Sequence, residues 1–139
     1  MRSSKDEQST AATFRERYGR RTSDATRELE RRVIGGDFGA NGYTTTAQAD
    51  LIAERLRLTE ADRLLDVGTG RGWPGLYLAV TSRCSVVLTD VPEEGLQQSR
   101  ERAAALRVAD RSAPVVGSAR RLPFREGSFD AIVHTDVLC

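Results

Sequence analysis

The 139-residue sequence holds two cysteines, Cys84 and Cys139, one histidine, His134, and one lysine, Lys5. Two cysteines build neither a disulfide framework nor a thiolate metal cluster, and a lone histidine excludes a multi-histidine centre, so no metal site is expected. The cysteine usage suits a reduced, cytoplasmic chain. No apolar run approaches the ~20 residues that span a bilayer, and Met1 to Glu7 contains no apolar stretch of the kind a secretory leader needs. The net charge of +1 favours neither nucleic acid nor an anionic membrane as partner. The preference for arginine over lysine reads as a codon effect, not a binding signal.

What is present is a globular composition, with 39% hydrophobic and 29% charged residues, and length for one core. Residues 1–43 form a first segment. Met1 to about Ser9 is polar and expected to fray. Phe14 and Tyr18 lie one helical turn apart. Ser23 is placed to cap a second helix with Ala25, Leu29 and Val33 on one face and Gly35-Gly36 as its stop. Phe38 and Tyr43 sit in the glycine-punctuated loop that follows, and two aromatics there imply that the loop packs on something.

From residue 44 to 139 helix and strand alternate. Thr45 and Gln48 fit a capping box, followed by Ala47, Leu51, Ile52 and Leu56 at helical spacing. Leu64 to Val67 reads as a first strand, Val86 to Thr89 as a second, Val115-Val116 as a third and Phe129 to His134 as a fourth. Pro74 and Pro92 each open a helix, the second with Leu96, Ala103 and Leu106 inward. Near-continuous apolar strands separated by helices predict an α/β fold with a doubly wound, mainly parallel sheet covered on both faces. With strand order 3-2-1-4, ligands belong at the carboxyl ends of the strands, beside the point where the order reverses.

The first strand runs into Asp66-Val67-Gly68-Thr69-Gly70-Arg71-Gly72-Trp73-Pro74-Gly75. Glycines at alternate positions let the backbone touch a ligand at a helix start. Gly70, Gly72 and Gly75 match the G-x-G-x-x-G spacing of dinucleotide sites, a weak signal by itself. A carboxylate at Asp66 opposes a pyrophosphate and suits an ammonium or sulfonium, which points towards S-adenosylmethionine.

Leu64 to Ala79 resembles the acidic-x-Gly-x-Gly-x-Gly motif of class I S-adenosylmethionine-dependent methyltransferases. Leu122 to Asp130, LPFREGSFD, resembles the segment leading into their fourth strand. The resemblance spans about Gly42 to Leu138 and implies a Rossmann-like fold that is incomplete beside the family's seven strands. It makes residues 1–43 a helical cap or lid and 44–139 the N-terminal half of the cofactor-binding domain. It implies that Asp66, Gly68, Thr69 and Gly70 meet the methionine portion of the cofactor. Asp90 would accept the ribose hydroxyls, or cap the helix after it, with Val91 on the adenine face. Ser118-Ala119 stands where the family usually has Asp-Ala beside the adenine.

Thr135 falls where the chain nears the methionine end. His134 is either a catalytic proton carrier or a strand-end residue bonding backbone. Tyr43 is a candidate lid contact and Trp73 either shields the site or fills the helix–sheet interface. The function implied is methyl transfer to a small-molecule acceptor, or the cofactor-binding half of such an enzyme. Two alternatives stay open: a non-catalytic assembly subunit needing a partner chain, and an NAD(P)-dependent oxidoreductase. For the open edge of the fourth strand two expectations stand: the chain is a fragment or truncated product, or the edge is closed by a second copy or a complementing chain.

Overall fold

The computed structural model describes residues 5–137, the side chain of Glu7 excepted. The elements run α1 (Lys5–Gly19), α2 (Asp24–Val33), α3 (Thr46–Leu56), β1 (Arg63–Val67), α4 (Gly75–Ser82), β2 (Ser85–Asp90), α5 (Glu93–Ala105), a short 3-10 turn (Ala109–Arg111), β3 (Ser112–Val116) and β4 (Ala131–His134). The four strands form one sheet in the order β3-β2-β1-β4, as the sequence pattern implied, and every pairing is parallel. Among the described residues no helix is long and apolar enough to cross a membrane.

Strand alternation divides the core. Leu64, Val86 and Leu88 join Leu76 and Leu78 of α4 and Leu96 of α5 on one face. Leu65, Val67 and Val87 meet Val115, Leu122, Phe124 and Phe129 on the other. That second face was expected under helices. Among the described residues it is covered instead by the segment between β3 and β4, where Phe124 and Phe129 meet edge to face at 5.0 Å. Asp130 ties this segment down: its Oδ2 accepts from Arg63 N at 2.8 Å, and its own N–H donates to Arg63 O.

The caps read from the sequence form. Ser23 accepts from Thr26 N, and Thr45 and Gln48 make a reciprocal capping box. The apolar faces are displaced, however. Leu29 and Val33 of α2 are 62% and 51% exposed, and the helix buries Glu30 instead. Glu30 Oε1 accepts from Phe38 N at 2.8 Å and Ala40 N at 2.9 Å. A carboxylate that receives two loop N–H groups outcompetes a leucine for the inward position, because unmet buried donors are costly. Leu51 and Leu56 of α3 and Leu106 after α5 also face solvent, while Ala49 is fully buried.

The stretch from Lys5 to Ser9, expected to fray, is helical within α1; Met1 to Ser4 and Cys139 lie outside the described residues. The loop aromatics separate. Phe38 stacks on Trp73 with ring centroids 4.2 Å apart, whereas Tyr43 is 83% exposed.

Candidate functional site

A cleft of about 430 Å³ opens at the carboxyl ends of the strands. Its floor is the turn after β1, where Gly68, Thr69 and Gly70 line it. Gly70 has φ +57°, and a Cβ there would stand 2.9 Å from the Tyr18 hydroxyl, so glycine is favoured at this position. The end of β2 supplies Asp90 and Val91, the segment after β3 supplies Ser118 and Ala119, and the end of β4 supplies Thr135 and Asp136.

The roof is α1. Asp6, Thr10, Phe14 and Tyr18, each four residues from the last, face the cleft. The helix is fastened by the Arg15–Glu94 ion pair at 3.0 Å and by Gln98 Nε2 donating to Tyr18 O at 2.7 Å. Burial, then the Asp90 carboxylate, pushes the Tyr18 phenol up to about 12, so it stays a neutral hydroxyl. The Asn41 amide approaches Tyr18 and eases that shift, yet its Nδ2 meets no acceptor at full hydrogen-bond geometry.

Asp90 joins two elements. Its Oδ2 accepts from Gly70 N at 2.7 Å and its Oδ1 from Val91 N at 2.8 Å. Each oxygen keeps a lone pair for a ligand hydroxyl. Burial raises its carboxyl above the ordinary range, and the two N–H groups oppose that shift.

Asp66 lies elsewhere. It is 1% exposed and does not line the cleft. Its Oδ2 accepts from Thr69 Oγ1 at 2.7 Å and Gly75 N at 2.9 Å, which turns the carboxyl beneath the glycine turn and away from any ligand above it. Asp66 therefore shapes the turn from behind, a correction to its expected place against the methionine portion. Its Oδ1 has no hydrogen-bond partner, and burial above all pushes the carboxyl up to about 7.

Two further expectations are corrected. Tyr43 is outside the cleft, because Asp136 Oδ2 accepts from Tyr43 N, Thr44 N and Thr44 Oγ1 at 3.1, 3.3 and 2.9 Å and holds the loop by its backbone with the ring turned out. His134 is exposed on β4 and does not line the cleft. Trp73 fills the helix–sheet interface, the second of the two places weighed for it. It is buried between Phe38 and Tyr77 in the core, it lines the cleft, and its Nε1 donates to Thr44 O at 3.0 Å.

Sequence reasoning missed Asn41 and the roof role of Asp6 and Thr10, while Asp136 lies in the His134–Asp136 stretch after β4 whose side chains were expected to face substrate. The four-residue spacing of the α1 stripe was the available signal for the roof. Asp136 follows β4 at the strand end where ligands are expected. Gly42 also lines the cleft, and a Cβ on it would collide with the Asp136 carboxylate.

A parallel sheet in this order, with a glycine-lined, acidic cleft at its carboxyl edge, defines a Rossmann-like fold. The chain belongs to the methyltransferase domain family, whose model matches residues 64–139. It is 33% identical over 88 residues to 27-O-demethylrifamycin SV methyltransferase of Amycolatopsis mediterranei, covering 63% of this chain and 32% of that one. It is 37% identical over 93 residues to a ubiquinone/menaquinone biosynthesis C-methyltransferase of Paracoccus denitrificans, covering 66% and 36%. Its fold is similar to that of a methyltransferase from Thiobacillus denitrificans solved with S-adenosyl-L-homocysteine, with TM-score 0.59, 24% identity, and coverage of 66% of this chain and 37% of that one. The chain thus spans about a third of the length of the curated relatives it matches.

Proposed function

We propose that this chain binds S-adenosylmethionine and belongs to a methyltransferase acting on a small molecule. One observation carries the reading. The turn after β1 and the acid ending β2, 20 residues apart in sequence, meet through the Asp90–Gly70 hydrogen bond on the wall of one cleft. The residues present suit the cofactor. Gly68, Thr69 and Gly70 would hold its methionine portion, Asp90 its ribose hydroxyls, and Val91, Ser118 and Ala119 its adenine, with Thr135 at the methionine end. Asp6, Asp90 and Asp136 line the cleft against one arginine, Arg120, a balance that suits a cation and opposes a pyrophosphate. This weighs against the NAD(P) alternative.

When bound, S-adenosylmethionine would supply an electrophilic methyl group to the acceptor's lone pair, with the carbon–sulfur bonding pair retained by sulfur in the departing thioether. The chain's own contribution is to hold and enclose. Asp90 fixes the sugar, α1 sheds water from the roof, and the carboxylates balance positive charge. In this reading residues 1–43 act as the cap. The names of the two curated relatives, a rifamycin and a quinone methyltransferase, support a small-molecule acceptor. His134 has no part in the reading, since it stands outside the cleft.

Calorimetric titration of the chain with S-adenosylhomocysteine and, separately, NADH tests it. Binding of the first and not the second is expected; the reverse pattern overturns the reading.

Among the described residues β4 pairs only with β1 and Ile132 is 56% exposed, and the other edge of β4 is proposed to pair with a further strand, from a second copy or a complementing chain. Sedimentation across a range of concentrations should show association. A soluble monomer at every concentration rejects pairing between copies.

A further inference from the structure

A second groove, of about 470 Å³, lies beside the cleft and shares Asn41 and Gly42 with it. One wall carries Arg17, Arg20, Arg21 and Arg71. The other carries Leu29, Val33 and Tyr43, the large apolar side chains that α2 and its following loop leave exposed. The one acid on the groove, Glu30, is engaged by the Phe38 and Ala40 N–H groups. The sign of charge therefore reverses between the two neighbouring sites, with carboxylates lining the first and guanidiniums the second.

Arg71 is the telling residue. Its backbone belongs to the glycine turn, but its side chain reaches the groove and is only 7% exposed. Its hydrogen bonds go to neutral acceptors: Gln98 Oε1 at 2.6 Å, Asn41 Oδ1 at 3.2 Å and the Arg17 carbonyl at 3.4 Å. It also stands over the Tyr18 ring at 5.2 Å. Among the described residues no carboxylate forms an ion pair with it. The Glu30 carboxylate acts on Arg71 only at a distance, and a buried guanidinium without a contacting carboxylate gains from an anion placed against it in the groove. Arg20 is partly compensated by its ion pair with Glu16 of α1, so Arg17, Arg21 and Arg71 dominate the field.

We propose that this groove receives the methyl acceptor, and that the acceptor is a small organic oxyanion with an apolar body. The oxyanion faces Arg71, and the body lies along Leu29, Val33 and Tyr43. The shared Asn41–Gly42 boundary sets it next to the cofactor cleft. The acceptor role rests on the reading of the first cleft as the S-adenosylmethionine site; the groove's preference for an anion does not.

Octanoate, 1-octanol and octyltrimethylammonium share one chain length and differ in the head group. Calorimetric titration of each into the chain should rank octanoate first, at least about tenfold tighter than 1-octanol, because a guanidinium–carboxylate contact is charge-assisted. Arg71→Gln and Arg21→Gln should each weaken octanoate. Arg71→Gln touches the glycine turn, so Leu29→Glu, at an exposed position, is the cleaner variant. It should cost at least about tenfold in octanoate affinity by placing a carboxylate on the apolar wall. S-adenosylhomocysteine affinity, titrated without octanoate, should be unchanged in Leu29→Glu.

Equal affinity for octanoate and 1-octanol, or unaltered octanoate binding in Leu29→Glu, overturns the inference. Octanoate binding without S-adenosylhomocysteine binding overturns the cofactor reading and with it the acceptor role. S-adenosylhomocysteine binding without octanoate binding overturns this inference alone.

Discussion

Asp90→Ala is expected to weaken S-adenosylhomocysteine binding by at least about 100-fold, since two hydrogen bonds to a charged acceptor are lost at roughly 1.5–3 kcal/mol each. The loss is twofold in kind. The ligand's hydroxyls lose their acceptor, and Gly70 N and Val91 N lose the oxygens that hold them 2.7 and 2.8 Å away. The turn that forms the floor is then no longer tied to the end of β2. Asp90→Asn retains one acceptor oxygen and should lose about tenfold, the difference between a charged and a neutral acceptor. Titration calorimetry measures both variants, with thermal unfolding of each to confirm that the fold persists. Affinity near that of the parent chain in Asp90→Ala would remove the carboxylate from the site.

Stability should fall as pH rises from about 4 to about 7, and Asp66→Asn should abolish most of that slope. The Asp66 carboxyl is raised from 3.8 to about 7 by burial, against the help of Thr69 and Gly75, with the Asp90 charge raising it further. The folded chain keeps a proton there that the unfolded chain has released. Unfolding therefore releases a proton in this window, and stability declines with pH. The stabilisation is whole below the unfolded value and gone above the folded one. It amounts to about 4 kcal/mol across the shift, at 1.36 kcal/mol per pH unit. Asp90, also raised by burial, adds to the slope with the same sign. Melting temperatures at intervals between pH 4.5 and 8 test this, over the window that follows from the shift. An Asp66→Asn variant that melts with the parent's pH dependence would show that Asp66 is not the group responsible.

Asp66 and Asp90 also show how far residue order can be read. Both were legible as acids ending adjacent strands, because a strand followed by glycines or by a helix start has few other arrangements. Their roles were not equally legible. Side chains alternate along a strand, so which acid faces a ligand depends on the neighbours that compete for its oxygens. Thr69 Oγ1 and Gly75 N draw Asp66 beneath the turn, while Gly70 N draws Asp90 to the cleft wall. Tyr43 went astray for a similar reason. Its ring direction follows from backbone bonds to Asp136, 93 residues away.

The sheet order, the helix caps and the position of the cleft follow from local pattern: apolar runs long enough for strands, glycines where a ligand approaches, prolines and hydroxyl side chains at helix starts. Those features act over a few residues and leave their mark in the order of the chain. The roof made by α1, the burial of Glu30 in place of Leu29, and the reversal of charge between the two cavities belong to the tertiary structure. Each depends on which of several competing groups gains a partner when distant segments meet, and desolvation settles that competition only after the segments are packed.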